Sequence, residues 1–281
     1  MVKSTISRRQ FFTAGRQSNL NSGELHPEWP NRRIARLHKK QFQDYWPKAA
    51  ASLSDSAPEF PVHPVNYTRT RDITWDMDTA IHLLNRTMTG ATYEDINTSL
   101  TLDMGNSVQT LLEDLDPPEP PGDWVYEIVP DWNSLTTQEA NDIIASYYNH
   151  MNSFRIWWCE RMMFNPMNIT EIMTLFWHNY FASAYSKVFY PQAMYQQNHI
   201  FRTYCLGNFK DLLRRITFGP AMMIWLDISG SRKQAPNENF ARELMELFTL
   251  GVDNYSQEDV VAASRAFTGY VTDGVQTNYD F

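Results

Sequence analysis

From about Trp75 to the end of the chain, apolar residues recur three and four positions apart, the period of an α-helix with one buried face. The stretch "DMDTAIHLLNRTMTG" carries this spacing, and "TYEDINTSLTLDMGNSVQTLLEDL" predicts a capped helix followed by a second. A Pro-rich break at 117–122 then interrupts the chain, because consecutive prolines favour extended geometry and cannot continue a helix. After it, "WVYEIVPDW" predicts one short extended piece. "TTQEANDIIASYYNHMNSFRIWWCERMMF" opens with Thr136 and Glu139 at capping-box spacing. "MNITEIMTLFWHNYFASAYS" is helical, with Asn168 or Thr170 as its cap. Two or three further helices follow up to "ISGS", with breaks near Gly207 and Gly219–Pro220, and a last pair covers 237–250 and 257–268, the second capped by "SQED". The expected fold is mainly α, a multi-helix array around one core over residues 76–281, preceded by an extended polar arm over 1–75.

Charge divides the chain the same way. Residues 1–48 hold ten Lys or Arg against Glu24, Glu28 and Asp44, a net +7, so the chain total of −8 leaves −15 on the rest. An acidic body excludes a general nucleic-acid binder, whose phosphate contacts need a basic surface. No stretch reaches the roughly 18–20 consecutive apolar residues of a membrane-spanning helix, so no transmembrane segment is expected. The start, "STISRRQFFTAG", resembles a twin-arginine export signal, but the polar "RQSNLNSGELHPEWPNRR" stands where an apolar stretch is needed. Within the arm, "RRIARLHKKQF" has the pattern of a basic amphipathic helix. Cys159 and Cys205 each sit alone in an apolar helical pattern and read as buried thiols.

The densest polar motif is "PNENFARELMELFTLG" (236–251). Asn237 is placed to cap the helix and Glu238 to favour its dipole, while Phe240, Leu244, Leu247 and Gly251 define the expected buried stripe. Glu238 with Arg242, and Arg242 with Glu246, are spaced for ion pairs. Asn239, Glu243 and Glu246 project from one side, and two carboxylates three apart can hold a divalent metal or divide acid and base roles. His178 and Asn179, in the aromatic "LFWHNYF", could complete such a site. One His with two carboxylates is a ligand set for a non-haem metal, and a core His hydrogen-bonded to a neighbour is the alternative. Lys233, with Arg232, could draw an anion to the helix start at Asn237. No nucleophile elbow, Gly-rich phosphate loop or His-Glu-x-x-His is present.

Six ordered blocks carry a family resemblance: "HLLNRTMTGATYEDI" (82–96), "WWCERMMFNPMNITEIMTLFWHNYFAS" (157–183), "CLGNFKDLL" (205–213), "GPAMMIWLD" (219–227), "PNENFARELMELFTLG" and "YSQEDVVAASRAFTGY" (255–270). Over about residues 77–281 the chain resembles the bacterial domain of unknown function family number 1800. The resemblance implies a mostly helical bacterial protein with an export signal, located in the periplasm or cell envelope and encoded beside another exported protein that could be its partner; a cytoplasmic location is the alternative. It supplies no activity or cofactor. Relatives carry a second His where Tyr180 stands and continue beyond Phe281, so the resemblance implies a chain incomplete at its C-terminus. Two functional readings follow. In one, the protein is an envelope or exported scaffold or binding protein, with a buried polar network between the "FWHNYF" and "NENFAREL" helices. In the other it is an exported enzyme in which His178, Glu243, Glu246 and Arg242 are catalytic and Asn179, Asn237, Asn239 and Lys233 bind ligand. A divalent metal on His178, Glu243 and Glu246 would be its cofactor.

Overall fold

The computed structural model describes residues 73–279. The twin-arginine-like start, the basic amphipathic helix and most of the 1–75 arm lie outside these residues. Among the described residues there are ten α-helices, as the apolar period leads one to expect, and one two-stranded hairpin, which it does not announce.

Local capping chemistry sets the first helices. Helix α1 (Met77–Thr87) starts at a capping box of Asp76 and Thr79, and α2 (Tyr93–Leu111) at one of Thr92 and Asp95. Helix α2 is in effect two helices, since Asp103 has φ 69 and ψ 174 and its carboxylate accepts the backbone N–H of Asn106 at 2.9 Å, a fresh N-cap inside the element. Their apolar faces close a small cluster of Leu84, Met88, Leu111 and Met167. The segment "WVYEIVPDW" is not a strand: it forms two 3₁₀ turns, Asp123–Tyr126 and Trp132–Ser134. Its Val, Ile and aromatic content favours sheet, but among the described residues no strand pairs with it, and Trp124 and Val125 are instead buried among helices.

Helix α3 (Thr137–Phe164) begins at the Thr136–Glu139 capping box and α4 (Thr170–Tyr180) follows, with Asn168 accepting the N–H of Thr170 at 2.8 Å. Cys159 is exposed on α3, against expectation, while Cys205 is buried. A long helix against one face of a domain leaves its outer positions in water, whatever their polarity, and Ile156, Met163 and Phe164 of α3 are exposed as well.

After the short α5 (Tyr185–Val188), α6 (Pro191–Tyr204) is the axis of the fold. Eleven of its fourteen residues are buried, among them Gln192, Gln196, Gln197, Asn198 and Arg202. On one side Ile200 and Phe201 join Phe181, Leu212, Ile216, Met222 and Phe240. On the other, Ala193, Met194 and Tyr195 pack with Trp124, Met151 and Phe154. Helices α7 (Phe209–Thr217) and α8 (Pro220–Trp225) each begin at or just after one of the anticipated breaks.

Helix α9 (Glu238–Glu243) passes directly into a π-helical turn, Leu244–Thr249. A turn closed to the fifth residue inserts an extra position and rotates the faces beyond it. The buried side chains are therefore Phe240, Ala241, Met245 and Phe248, with Leu244 packed against the core; Leu247, expected inside, is 54% exposed. Helix α10 (Gln257–Ala266) packs on α9 from a capping box of Ser256 and Asp259. Strands β1 (Tyr270–Thr272) and β2 (Thr277–Tyr279) then pair antiparallel with Val271 opposite Asn278.

Candidate functional site

Helices α4 and α6 pack side by side and carry between them the two charged residues that are buried among the described residues. Glu171, one residue into α4, and Arg202, near the end of α6, form an ion pair whose side chains are 5% and 6% exposed. The pair is bidentate: Arg202 Nε donates to Oε1 at 3.0 Å and Nη2 to Oε2 at 2.9 Å. The third nitrogen, Nη1, donates to Asn198 Oδ1 at 2.6 Å, one turn back on α6. Trp158 of α3 adds its indole N–H to Glu171 Oε2 at 2.9 Å, and Trp157 offers its ring to the guanidinium at 5.0 Å. Both oxygens of the carboxylate and all three nitrogens of the guanidinium are thus committed inside the protein, the condition under which a buried pair is tolerated.

His178 belongs to this network. Its Nε2 lies 3.0 Å from Asn198 Nδ2, and because the amide nitrogen can only donate, Nε2 accepts and the ring is neutral. The ring lies 4.6 Å from both Trp158 and Phe201. The residue keeps part of its surface accessible, yet these neighbours enclose the imidazole. Burial, reinforced by the Arg202 charge, lowers its pKa to about 3. A histidine held this far below neutral pH is a fixed acceptor in a structural network.

The other anticipated site residues are elsewhere. Asn237 caps α9, its side-chain oxygen accepting Asn239 N–H at 2.9 Å, and its amide donates to Asp227 O at 2.8 Å. Glu238 and Arg242 make the expected exposed pair at 3.5 Å, and Gln257 of α10 bridges them, accepting from Arg242 at 2.9 Å and donating to Glu238 at 2.8 Å. Glu246 accepts from Tyr255 Oη, and this takes the place of the ion pair expected with Arg242. Glu243 is half-buried, and burial, then the charge of Glu246, raises its pKa, with Arg242 opposing. Asn179, Asn239 and Lys233 are exposed. The N-terminus of α9 holds its own polar atoms, with Asn237 N–H on the buried Ser231 hydroxyl at 3.0 Å.

Among the described residues no group of three or more His, Cys, Asp or Glu is placed to hold a metal, so His178, Glu243 and Glu246 do not form the ligand set their spacing suggested. The reason is rotational: the face of α4 that bears His178 meets α6, whereas Glu246, on the π turn after α9, turns to Tyr255 ahead of α10. The "FWHNYF" helix does meet the π turn that continues the "NENFAREL" helix, but through aromatic side chains. Phe181 and Tyr180 lie 5.0 and 6.2 Å from Phe248, and Tyr180 Oη donates to Phe248 O at 3.0 Å. The buried polar network expected between them lies between α4 and α6 instead. Tyr180→Phe removes the donor and should lower stability by about 1 kcal/mol, with faster amide exchange across 244–249 than in wild type. Unchanged exchange there would show that this bond does not anchor the π turn.

A family model described as Protein of unknown function (DUF1800) matches residues 82–281. Searches of curated proteins and of solved structures find no match for the chain.

Proposed function

The chain belongs to the DUF1800 family, and we propose that it acts as a rigid helical scaffold of the bacterial cell envelope that binds a partner protein, exported as it is. The observation that carries this reading is the closed network at α4 and α6: the two buried charged residues among those described, Glu171 and Arg202, are spent on each other, and His178 is tied in through Asn198. Such a lock holds a surface in place. The surface it supports bears Phe176, Tyr180 and Phe209, 50%, 39% and 39% exposed, with ring centroids 6.3 Å apart from Phe176 to Tyr180 and from Tyr180 to Phe209. A contiguous exposed aromatic patch is the kind of surface that partners cover.

Site-specific photocrosslinking tests the reading. A crosslinker at Phe176 is expected to give one reproducible protein adduct in the envelope fraction, absent when it is placed at Met163, which is 68% exposed on another helix. Adducts that are the same from both positions, or a protein found only in the cytosolic fraction, would count against it.

A further inference from the structure

At the opposite end of α6, polar atoms are buried under different terms. The indole N–H groups of Trp124 and Trp132, the hydroxyls of Tyr147 and Tyr185, Nδ1 of His150 and both amide atoms of Gln192 are shielded from solvent without a hydrogen-bond partner. Trp124 and Tyr147 are 2% exposed and Gln192 is 0% exposed. Tyr147 and Gln192 face each other closely enough for Gln192 to stabilise the ionised phenol, though not in hydrogen-bond geometry. Native interiors satisfy nearly all such groups, and a concentration of orphans in one place asks for a cause.

These groups share one locality. The ring of Tyr147 lies 6.2 Å from Trp132 and 6.5 Å from His150, which stacks on Trp124 at 5.0 Å. Phe189 connects the two tyrosines, 5.6 Å from Tyr147 and 6.4 Å from Tyr185. Its backbone is left-handed at φ 68, a conformation that bulky residues rarely hold and that tends to be kept where a site needs it. Gln196, one turn along α6, is also unpartnered but faces Ile200, Ile216 and Met222 across a space too small for a water molecule, so it stands outside the group.

The geometry points to a binding site for a neutral, hydroxyl-rich ring, a sugar unit, enclosed by Trp124, Trp132, Tyr147, His150 and Gln192. The ligand class follows from what each group can do. Indole N–H groups only donate; hydroxyls and the amide both donate and accept. An anion would use the donors but would lie against electron-rich ring faces, with the Glu127 carboxylate beside Tyr147. A quaternary ammonium would suit the faces and leave both indole N–H groups unmatched. A sugar ring offers acceptors and donors at its edge and C–H groups to the aromatic faces, and so matches every orphan. The rings pack directly on one another, so the ligand must displace one of them. Trp132 is that cover: it rides on the 3₁₀ turn whose own hydrogen bonds are local, Asn133 N–H and Ser134 Oγ both going to Asp131. This end of α6 is distinct from the aromatic surface of α4, so the sugar site and the scaffold reading can fail separately.

The test titrates the full chain with cellobiose and with chitobiose, followed by tryptophan fluorescence and calorimetry, with tetramethylammonium and sulfate as the competing classes. Saturable binding of a disaccharide is expected, weakened roughly tenfold by Gln192→Met, which keeps the volume, and also by Trp132→Phe, which deletes a donor at the margin. Both variants should keep the wild-type melting temperature within a few degrees. Binding of tetramethylammonium or sulfate in place of the sugars would overturn the proposal, as would sugar binding untouched by both variants or no saturable binding of either disaccharide up to its solubility.

Discussion

Glu171→Ala is expected to cost about 3–5 kcal/mol of unfolding free energy, the scale set by leaving one member of a buried ion pair without the other. Arg202, with a side chain 6% exposed, would keep only the Asn198 carbonyl and the face of Trp157. For a folded region of about 200 residues this is a fall of roughly 6–20 °C in melting temperature. Trp158 would also lose the acceptor for its indole N–H, so the loss is shared between α3, α4 and α6. The double variant Glu171→Met with Arg202→Met separates charge from packing. Replacing both partners with apolar side chains of similar length should recover most of the loss, because a buried pair stabilises little against an apolar isostere. Urea unfolding of the three proteins decides it. A single-variant cost below about 1 kcal/mol, or a double variant as unstable as the single one, would mean that the pair is not the lock described above.

The elements were legible in the sequence wherever the signal is local. Thr136 with Glu139 and Ser256 with Asp259 form the capping boxes that their spacing announces, and Gly207 and Gly219–Pro220 separate helices as glycine and proline do. The final hairpin was missed, although Asp273–Gly274 between short β-prone runs is its turn signal. The site was legible only in part. His178 stood out as a lone histidine among aromatics, but its partners are fixed by which face of α4 meets α6, and no pattern within one helix encodes that. Glu171 and Arg202 are 31 residues apart, each a single charge in an apolar helical run, "NITEIMTLFW" and "HIFRTYC". Two lone opposite charges on core helices were the available clue. Glu243 and Glu246 drew attention because i,i+3 spacing is visible, yet Glu246 is taken up by Tyr255, ahead of α10, and Glu243 is half-buried beside it. The π turn at 244–249 was not legible, since no periodicity announces an inserted residue, and it is what moved Phe248 inward in place of Leu247.

Stability should fall in mild acid more steeply than the carboxylates alone explain, and His178 supplies the difference. Its pKa is lowered to about 3 in the folded protein, by burial first and the Arg202 charge second, against an ordinary value near 6.5 in the unfolded chain. Between these two values the unfolded state holds the proton that the folded state refuses, so stability rises with pH across this window. The stability is complete above about pH 6.5, declines as pH falls below it and levels off near pH 3. From this residue alone the loss is about 2 kcal/mol at pH 5 and about 3 kcal/mol at pH 4, relative to pH 7. His199, lowered by burial and by Arg202, and His150, lowered by burial, act in the same direction. Raised carboxylates such as Glu243 act in the opposite one. His178→Gln isolates the term, because the glutamine carbonyl can still accept from Asn198 and has no proton to take up. Denaturant unfolding at pH 7 and pH 5 should show the wild type losing about 2 kcal/mol more than the variant over that interval. Equal losses would mean that the imidazole titrates as freely folded as unfolded, and that the pocket of Trp158, Phe201 and Asn198 does not exclude charge.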